Sequence, residues 1–369
     1  MSCINFFRKN KNNANIFTYD FAGKTTALPV PTAEKLPSSW KGFNLLNMFY
    51  FKGRQSDIPF DEKDFKMMSE WGFNFARIPV DYRILIKSND WNNMNETAMQ
   101  RLDKAVEFGI KHDIHICLNL HRAPGFTVAT PAETANLWTQ AEPQAAFARM
   151  WAFFAARYKN VPNEYLSFNF VNEPTGVDEK TYADVIKIAA NAIRAHDPNR
   201  ILIADGLDYG TIPCYMIKDL GIAQATRGYA PHPLTHYKAG WVEGADKYPL
   251  PAWPNVTENA PEQNREWLKN TLKPWNDLAK SGSGVVVGEW GSHNKTPHDV
   301  VLRWMEDNLI IFKEAGLGWA LWNLSGSFGV LNSGRDDVQY ENYNGYKLDR
   351  KMLTLLQKYL ARSQAGCAP

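Results

Sequence analysis

Short runs of apolar residues alternate with amphipathic segments along most of this chain. The runs are continuous rather than alternating, which is typical of strands buried on both faces. They predict eight strands, at residues 41–46, 73–79, 114–120, 165–171, 200–205, 226–231, 284–289 and 317–323.

Between these runs, apolar residues recur at the three- and four-residue spacing of one helix face. Ala98, Leu102, Ala105 and Val106 show it in one segment. The spacing predicts helices near 61–71, 96–112, 142–158, 178–196, 213–220, 262–280, 298–315 and 349–362.

Eight strands, each followed by a helix, predict an α/β protein with a closed (β/α)8 TIM barrel. A doubly wound sheet is the alternative. That fold carries a Gly-x-Gly-x-x-Gly phosphate site after its first strand. This chain has no such motif there, so the barrel is favoured.

The 369 residues are best divided into one large domain and two short ends. Residues 1–38 are polar, rich first in Asn and then in Pro, and predict an N-terminal arm. The barrel is expected over 39–363 and a C-terminal tail over 364–369. Nothing between 40 and 360 resembles a linker, and barrels of this size are common as single domains. We expect a monomer.

Charge and cysteine content exclude several classes of protein. The 41 basic and 39 acidic residues give a net charge of +2, which favours neither a nucleic-acid nor a membrane-surface partner. The sequence contains no run of about 18 apolar residues, so it predicts no membrane span. The four cysteines follow no metal or disulfide spacing, and Cys117 is expected to be a buried thiol. We expect no metal and no cofactor.

Two of the apolar runs end in a glutamate. Glu173 stands near the end of residues 167–174 (SFNFVNEP), and Glu289 near the end of residues 284–291 (GVVVGEWG). Active sites of TIM barrels lie at the carboxyl ends of the strands, so two glutamates there suggest paired-carboxylate chemistry. The alternative for either one alone is an anchor for a loop, paired with a lysine or arginine.

These motifs resemble the retaining glycoside hydrolases of family 5, over roughly residues 40–360. The Asn-Glu-Pro on strand four together with the glutamate on strand seven is specific. The stretches LHRAPG at 120–125 and FGVLNSGR at 328–335 strengthen the resemblance.

The resemblance implies a double displacement with two carboxyl groups about 5–5.5 Å apart. It implies that Glu173 is the acid/base and Glu289 the nucleophile. Further substrate-binding residues follow from it: Asn172 at the sugar 2-hydroxyl, His121 at the sugar, Trp322 under the ring, and Arg77 and Tyr229 as donors to Glu289.

One departure from the family pattern falls on strand six. Family members commonly have His-x-Tyr there, whereas this chain has Arg227-Gly228-Tyr229. We expect Tyr229 to be the partner of Glu289, with His236 and Tyr237 lining a subsite. Alternatively, His232 or the pair His236 and Tyr237 takes the role from a shifted strand.

The predicted activity is hydrolysis of a plant-type polysaccharide, as an endo-β-1,4-glucanase (cellulase). Four tryptophans in predicted loops fit a cleft that stacks several sugars: Trp138, Trp241, Trp253 and Trp290. A long loop at 232–261 is expected to shape that cleft. Exo action, another specificity (mannan, xylan, xyloglucan or β-1,3-glucan) and an inactive carbohydrate-binding barrel remain alternatives.

A metal-dependent hydrolase using His232 and His236 is weaker, because Pro233 argues against a helix presenting both. The first apolar segment is too short for a secretory signal. We therefore expect either a cytoplasmic protein or one whose leader is absent from this sequence. A polysaccharide substrate favours the secreted, extracellular alternative.

Overall fold

Eight parallel strands close into a barrel in the computed structural model, which describes residues 40–51, 58–257 and 260–360. Each strand pairs with the next in the chain, and the last pairs with the first. The strands are β1 (Lys41–Asn44), β2 (Phe75–Asp81), β3 (His115–Arg122), β4 (Leu166–Asn169), β5 (Ile201–Asp205), β6 (Ala223–Gly228), β7 (Val285–Trp290) and β8 (Gly318–Leu321). The predicted TIM barrel is confirmed.

All described residues belong to one compact unit. The predicted arm at 1–38 and tail at 364–369 lie outside the described residues. In the part of the chain that is described, no helix is long and apolar enough to cross a membrane.

Helices of seven residues or more cover the outside of the barrel. They are α1 (Glu62–Glu70), α2 (Glu96–Lys111), α3 (Ala141–Tyr158), α4 (Glu179–Arg194), α5 (Arg265–Thr271), α6 (Lys273–Lys280), α7 (His298–Ala315) and α8 (Arg350–Lys358). Several begin at a side chain that accepts from a first-turn N–H, as Asp61, Asn95 and Asp178 do. Such caps satisfy backbone donors that have no partner within the helix.

Two predicted helices were wrong in detail. Residues 213–220 contain only a 3₁₀ turn, Tyr215–Ile217, because the buried Gln224 side chain holds the backbone N–H and carbonyl of Cys214 instead. Residues 262–280 form a strand end and two helices, α5 and α6, that meet at Leu272.

The sixth strand lies three residues earlier than predicted, at Ala223–Gly228 rather than 226–231. Its first half contains Gln224, which is fully buried and polar, so it did not stand out as an apolar run. Tyr229 therefore follows the strand directly instead of lying inside it.

The core has two main parts, and a third small cluster of Ala148, Ala152 and Ala192 lies between α3 and α4. The larger part packs between strands and helices. The smaller one fills the barrel and includes Phe75, Cys117, Ile203, Ala225 and Val286. Cys117 is a buried free thiol, as predicted. Because strand side chains alternate between faces, the residues two positions further along also point into the barrel.

Candidate active site

The barrel interior changes from apolar to polar two residues beyond this inner core. Phe75 is followed by Arg77, Ile203 by Asp205, and Ala225 by Arg227. Arg77, Asp205 and Arg227 are all buried. A layer of charged groups thus lies at the carboxyl ends of the strands, where TIM barrel enzymes carry their active sites.

Glu289 lies in this layer on β7 and is 3% exposed. Its Oε1 accepts from Nη1 of Arg77 at 2.5 Å, and its Oε2 accepts from the Tyr229 hydroxyl at 3.2 Å. Nη2 of Arg227 lies 3.3 Å from Oε1. Burial and the nearby glutamates raise the pKa of Tyr229 well above its ordinary value, so the phenol remains a donor. Two hydrogen-bond donors and a second guanidinium thus surround the carboxyl group of Glu289.

A β-bulge sets the direction of Glu289. Val287 pairs with Thr226, but Glu289 pairs with Arg227, so Gly288 is an extra residue in β7. Its carbonyl accepts from Nδ2 of Asn44 at 3.0 Å. Bulges re-aim side chains next to active sites, and this one brings Glu289 beside Arg227.

Glu173 follows β4 and is less buried, with 16% of its side chain exposed. Its backbone has φ of +50°, and its N–H donates to Oδ2 of Asp205 at 2.9 Å. Its Oε1 accepts from Nε of Arg227 at 2.8 Å. Burial and the charge of Glu289 raise the pKa of Glu173 to about 7, against the opposing effect of Arg227. Glu173 is therefore a carboxyl group able to donate a proton near neutral pH.

Asn172 lies between the two glutamates. Its Oδ1 accepts from Nη2 of Arg77 at 3.0 Å and from Nη2 of Arg227 at 2.8 Å. Its Nδ2 is buried and has no hydrogen-bond partner among the described residues. A buried amide donor without a partner is costly, and a bound hydroxyl group would satisfy it.

His121 and Trp322 form a ring pair on the other side of Glu289. Their centroids are 5.4 Å apart with 23° between planes, and Phe49 packs edge-on against both. Nδ1 of His121 is 4.0 Å from Oε1 of Glu289 and has no hydrogen-bond partner in the described chain. Burial, with Arg77 and Arg227 nearby, lowers the pKa of His121 well below its usual value, so the ring is neutral.

His236 lies beyond Tyr229 and does not replace it. Its ring centroid is 5.1 Å from that of Tyr229 and 4.0 Å from that of His232, with which it stacks. Burial, then the neighbouring histidines, lower the pKa of His236 to about 3. Tyr237 is 8% exposed and its carbonyl accepts from Nδ1 of His293. Tyr229 is therefore the aromatic side chain that reaches Glu289, and Arg227 stands where the family sequence pattern has histidine.

No three His, Cys, Asp or Glu side chains among the described residues are grouped as metal ligands. His232 and His236 face each other as a stacked pair, without a third such group.

A cavity of about 410 Å³ lies beside Glu173, and Trp322 is not among the residues that line it. Its other lining residues include Arg227, Tyr229, Tyr209, His232, His236 and Trp275.

Only one of the four tryptophans predicted to line a cleft is exposed. Trp241 is 62% exposed and lies 6.3 Å, between ring centroids, from His236. Trp290 packs on Trp304 behind β7, and Trp253 donates from Nε1 to Asp307. Trp138 is also buried, so three of the four are structural.

Sequence reasoning missed three residues that hold the layer together. Asn44 accepts from Nη1 of Arg77, and Asn169 accepts from its Nε. Asp205 is fully buried and accepts from Arg227 and from Nδ2 of Asn169. All three share one signal, a polar residue at the last position of a barrel strand.

A (β/α)8 barrel with two glutamates at the ends of its fourth and seventh strands defines a class of glycosidases, and comparison with known proteins places this chain in that class. The model of the family Cellulase (glycosyl hydrolase family 5) matches residues 32–327. The chain belongs to glycoside hydrolase family 5 and is a glycoside hydrolase, with a carbohydrate as its substrate.

Three relatives illustrate the range of similarity. Endoglucanase C of Acetivibrio thermocellus is 28% identical over 320 residues, which cover 80% of this chain and 92% of that protein. Cellodextrinase A of Ruminococcus flavefaciens is 25% identical, covering 75% of this chain and 83% of that one. A crystal structure of a glycoside hydrolase is 39% identical with a TM-score of 0.82, covering 86% of this chain and 98% of that chain.

Proposed function

We propose that this protein is a retaining endo-β-1,4-glucanase in which Glu173 is the acid/base and Glu289 the nucleophile. One observation carries the assignment: the two glutamates have opposite environments. Arg77 and Tyr229 each donate to one carboxyl oxygen of Glu289, an arrangement that suits a carboxylate nucleophile. Burial and the charge of Glu289 favour the protonated form of Glu173. Two carboxyl groups with separated protonation states are what the reaction requires.

In the first step, a carboxylate oxygen of Glu289 bonds to the anomeric carbon while Glu173 protonates the leaving oxygen. The products are a glycosyl ester on Glu289 and an ionised Glu173. In the second step, Glu173 removes a proton from water, which attacks the anomeric carbon and releases Glu289. Arg77 keeps contact with the nucleophile in both steps.

Positioning of the sugar falls to the groups around Glu289. Asn172 offers its unpartnered Nδ2 to the 2-hydroxyl, a contact that strengthens in the transition state. Trp322 supplies an aromatic face for the ring, and His121 a neutral imidazole beside it. The cavity beyond Glu173 would then receive the leaving sugar, with His236 and Tyr209 on its walls. The ring of Tyr237 is buried, so it offers little surface to a bound sugar.

The substrate class rests on the relatives, since the contacts within the site do not distinguish one glycosidic linkage from another. Endoglucanase C and the family description both favour β-1,4-glucan cleaved within the chain. Exo action and action on mannan, xylan, xyloglucan or β-1,3-glucan are outcomes of the test below.

The test is release of reducing ends from carboxymethylcellulose, barley β-glucan, mannan, xylan and xyloglucan, measured together with viscosity. We expect activity on the β-1,4-glucans, with viscosity falling early, as internal cleavage requires. Glu289→Gln should lower turnover by at least ~10³-fold, as loss of a covalent nucleophile does. Glu70→Gln is the matched control, because Glu70 is exposed at the end of α1, outside the charged layer.

Three outcomes would contradict parts of the proposal. Equal activity of Glu289→Gln and wild type would refute the nucleophile. Reducing ends without an early fall in viscosity would indicate exo action. Binding of all glycans without turnover would indicate an inactive carbohydrate-binding barrel.

We also propose that the protein acts outside the cell, because a polymeric glucan is too large to be taken up. A monomer is proposed as well, since the site is formed by residues of a single chain. Fractionation of the source cells and light scattering of the purified protein test these two points.

A further inference from the structure

Arg227 makes more contacts to the charged layer than the residue it replaces in the family pattern could make. Its Nε donates to Glu173 at 2.8 Å, and its Nη2 donates to Oδ1 of Asn172 at 2.8 Å and to Asp205. The same Nη2 lies 3.3 Å from Glu289. One guanidinium therefore contacts both glutamates. An imidazole has only two nitrogens and lacks this fork of donors.

The surrounding backbone leaves room for this arginine. A Cβ atom on Gly288, the bulge residue of β7, would lie 3.1 Å from Nη1 of Arg227. A Cβ on Gly210 would lie 2.9 Å from Cγ of Arg227, and Gly210 has φ of +76°. Two elements thus carry glycine where the arginine side chain passes. The site is built around an arginine.

The ionisable groups of the layer balance in charge when only one of the two glutamates is ionised. Arg77 and Arg227 supply two positive charges, and Asp205 with one glutamate supplies two negative charges. Burial opposes a charge on Arg227, but Asp205, Glu289 and Glu173 together raise its pKa above the ordinary value. A second ionised glutamate would leave an unpaired buried charge, which is costly.

We infer that Arg227 is a positioning residue that pairs with whichever of Glu173 and Glu289 carries the negative charge in each half of the reaction. This inference rests on the proposed roles of the two glutamates.

Before the first step Glu289 is the anion. The first step forms the bond from Glu289 to the anomeric carbon, breaks the glycosidic bond and moves the proton of Glu173 to the leaving oxygen. The ester on Glu289 is neutral and Glu173 is now the anion. Hydrolysis of the ester reverses this.

The net charge of the layer is the same in both states, so no buried charge loses its partner during turnover. A guanidinium in contact with both carboxylates needs no movement to follow the charge. Preorganised groups of this kind stabilise developing charge without reorganisation.

A purely structural role is the alternative, in which Arg227 only neutralises Asp205. The pH profile separates the two. The charged and titratable groups that face Glu173 and Arg227 are Glu289, Asp205, Arg77, His121 and Tyr229. The pKa of Glu173 itself is raised to about 7. Arg227 lowers the pKa of Glu173, so its removal raises it further.

The experiment compares wild type with Arg227→Gln and Arg227→Lys in kcat/KM against pH, using cellotetraose as an unactivated substrate. Arg227→Gln should move the basic limb of the profile up by about one pH unit and lower kcat by at least ~10-fold. Melting temperatures establish that each variant is folded.

If Arg227→Gln does not fold, Arg227→Lys is the variant that tests the inference. Lysine keeps the positive charge but lacks the fork of donors. We expect it to lower kcat by ~10-fold or more with little change in KM. A profile and kcat like those of wild type in a folded variant overturn the inference. Absence of turnover by wild type on every glycan overturns the proposed function instead.

Discussion

Oδ2 of Asp205 accepts a hydrogen bond from the backbone N–H of Glu173 at 2.9 Å, which ties the end of β5 to the residue that follows β4. Glu173 has φ of +50°, a conformation that non-glycine residues rarely adopt. Strain of this kind persists where neighbouring contacts enforce it. Asp205 therefore fixes the backbone from which the Glu173 side chain extends, and it also pairs with Arg227.

Asp205→Asn should destabilise the protein by about 3–5 kcal/mol, the usual cost of breaking a buried ion pair by removing one partner. Arg227 and Arg77 would then face a single buried carboxylate in place of two. Urea unfolding of the two proteins measures the difference. Asp277→Asn on the exposed side of α6 is the control and should change the unfolding free energy by no more than about 0.5 kcal/mol. Equal effects of the two substitutions would show that Asp205 is not an essential ion-pair partner.

The pKa of Glu173 makes the reaction depend on pH. Burial and the charge of Glu289 raise that pKa to about 7. The acid must be protonated in the free enzyme, so kcat/KM should be high below pH 7 and fall as pH rises through it. The measurement is kcat/KM for cellotetraose from about pH 4 to about pH 9, a range that includes both sides of the Glu173 pKa. A basic limb that remains flat to pH 9 would argue against Glu173 as the acid.

The fold could be read from the sequence because buried parallel strands form continuous apolar runs. The sixth strand was misplaced where this signal fails, since Gln224 is polar and fully buried. The two glutamates stood out because each follows such a run directly. Asp205 did not, although it also closes an apolar run, because its partners Glu173 and Arg227 are brought to it only by barrel closure.

Aromatic side chains were harder to assign than carboxylates. Trp241 and Trp290 both stand near glycines in the sequence, yet one is 62% exposed and the other is fully buried behind β7. A tryptophan gives the same local signal in either position. Only packing against Trp304 and Trp319 identifies Trp290 as part of the core.

Trp322 and Trp241 should differ in the length of substrate they affect. Trp322 lies beside His121 and Glu289, so Trp322→Ala should lower kcat/KM by at least ~10-fold on every glycoside, short or long. Trp241 is exposed beyond His236, so Trp241→Ala should leave a small aryl glycoside unaffected and weaken only longer chains. Kinetics on 4-nitrophenyl β-cellobioside and on cellohexaose measure this. An equal loss on both substrates for Trp241→Ala would place it at the catalytic centre instead.

Glu173→Ala offers the sharpest separation of the two catalytic roles. An aryl glycoside with a dinitrophenolate leaving group needs no proton, so formation of the ester on Glu289 should survive the substitution. Its hydrolysis needs a general base and should slow by ~10²–10⁴-fold, so the ester accumulates and a burst of dinitrophenol precedes a slow steady state.

Azide is an anion that attacks without a base, and it should restore turnover and yield a β-glycosyl azide. Glu289→Gln is the matched control: it cannot form the ester, so azide should not yield the β-azide. Without a burst or azide rescue in folded Glu173→Ala, Glu173 would not be the acid/base, and the carboxyl group that fills this role would have to be sought among the other groups of the charged layer.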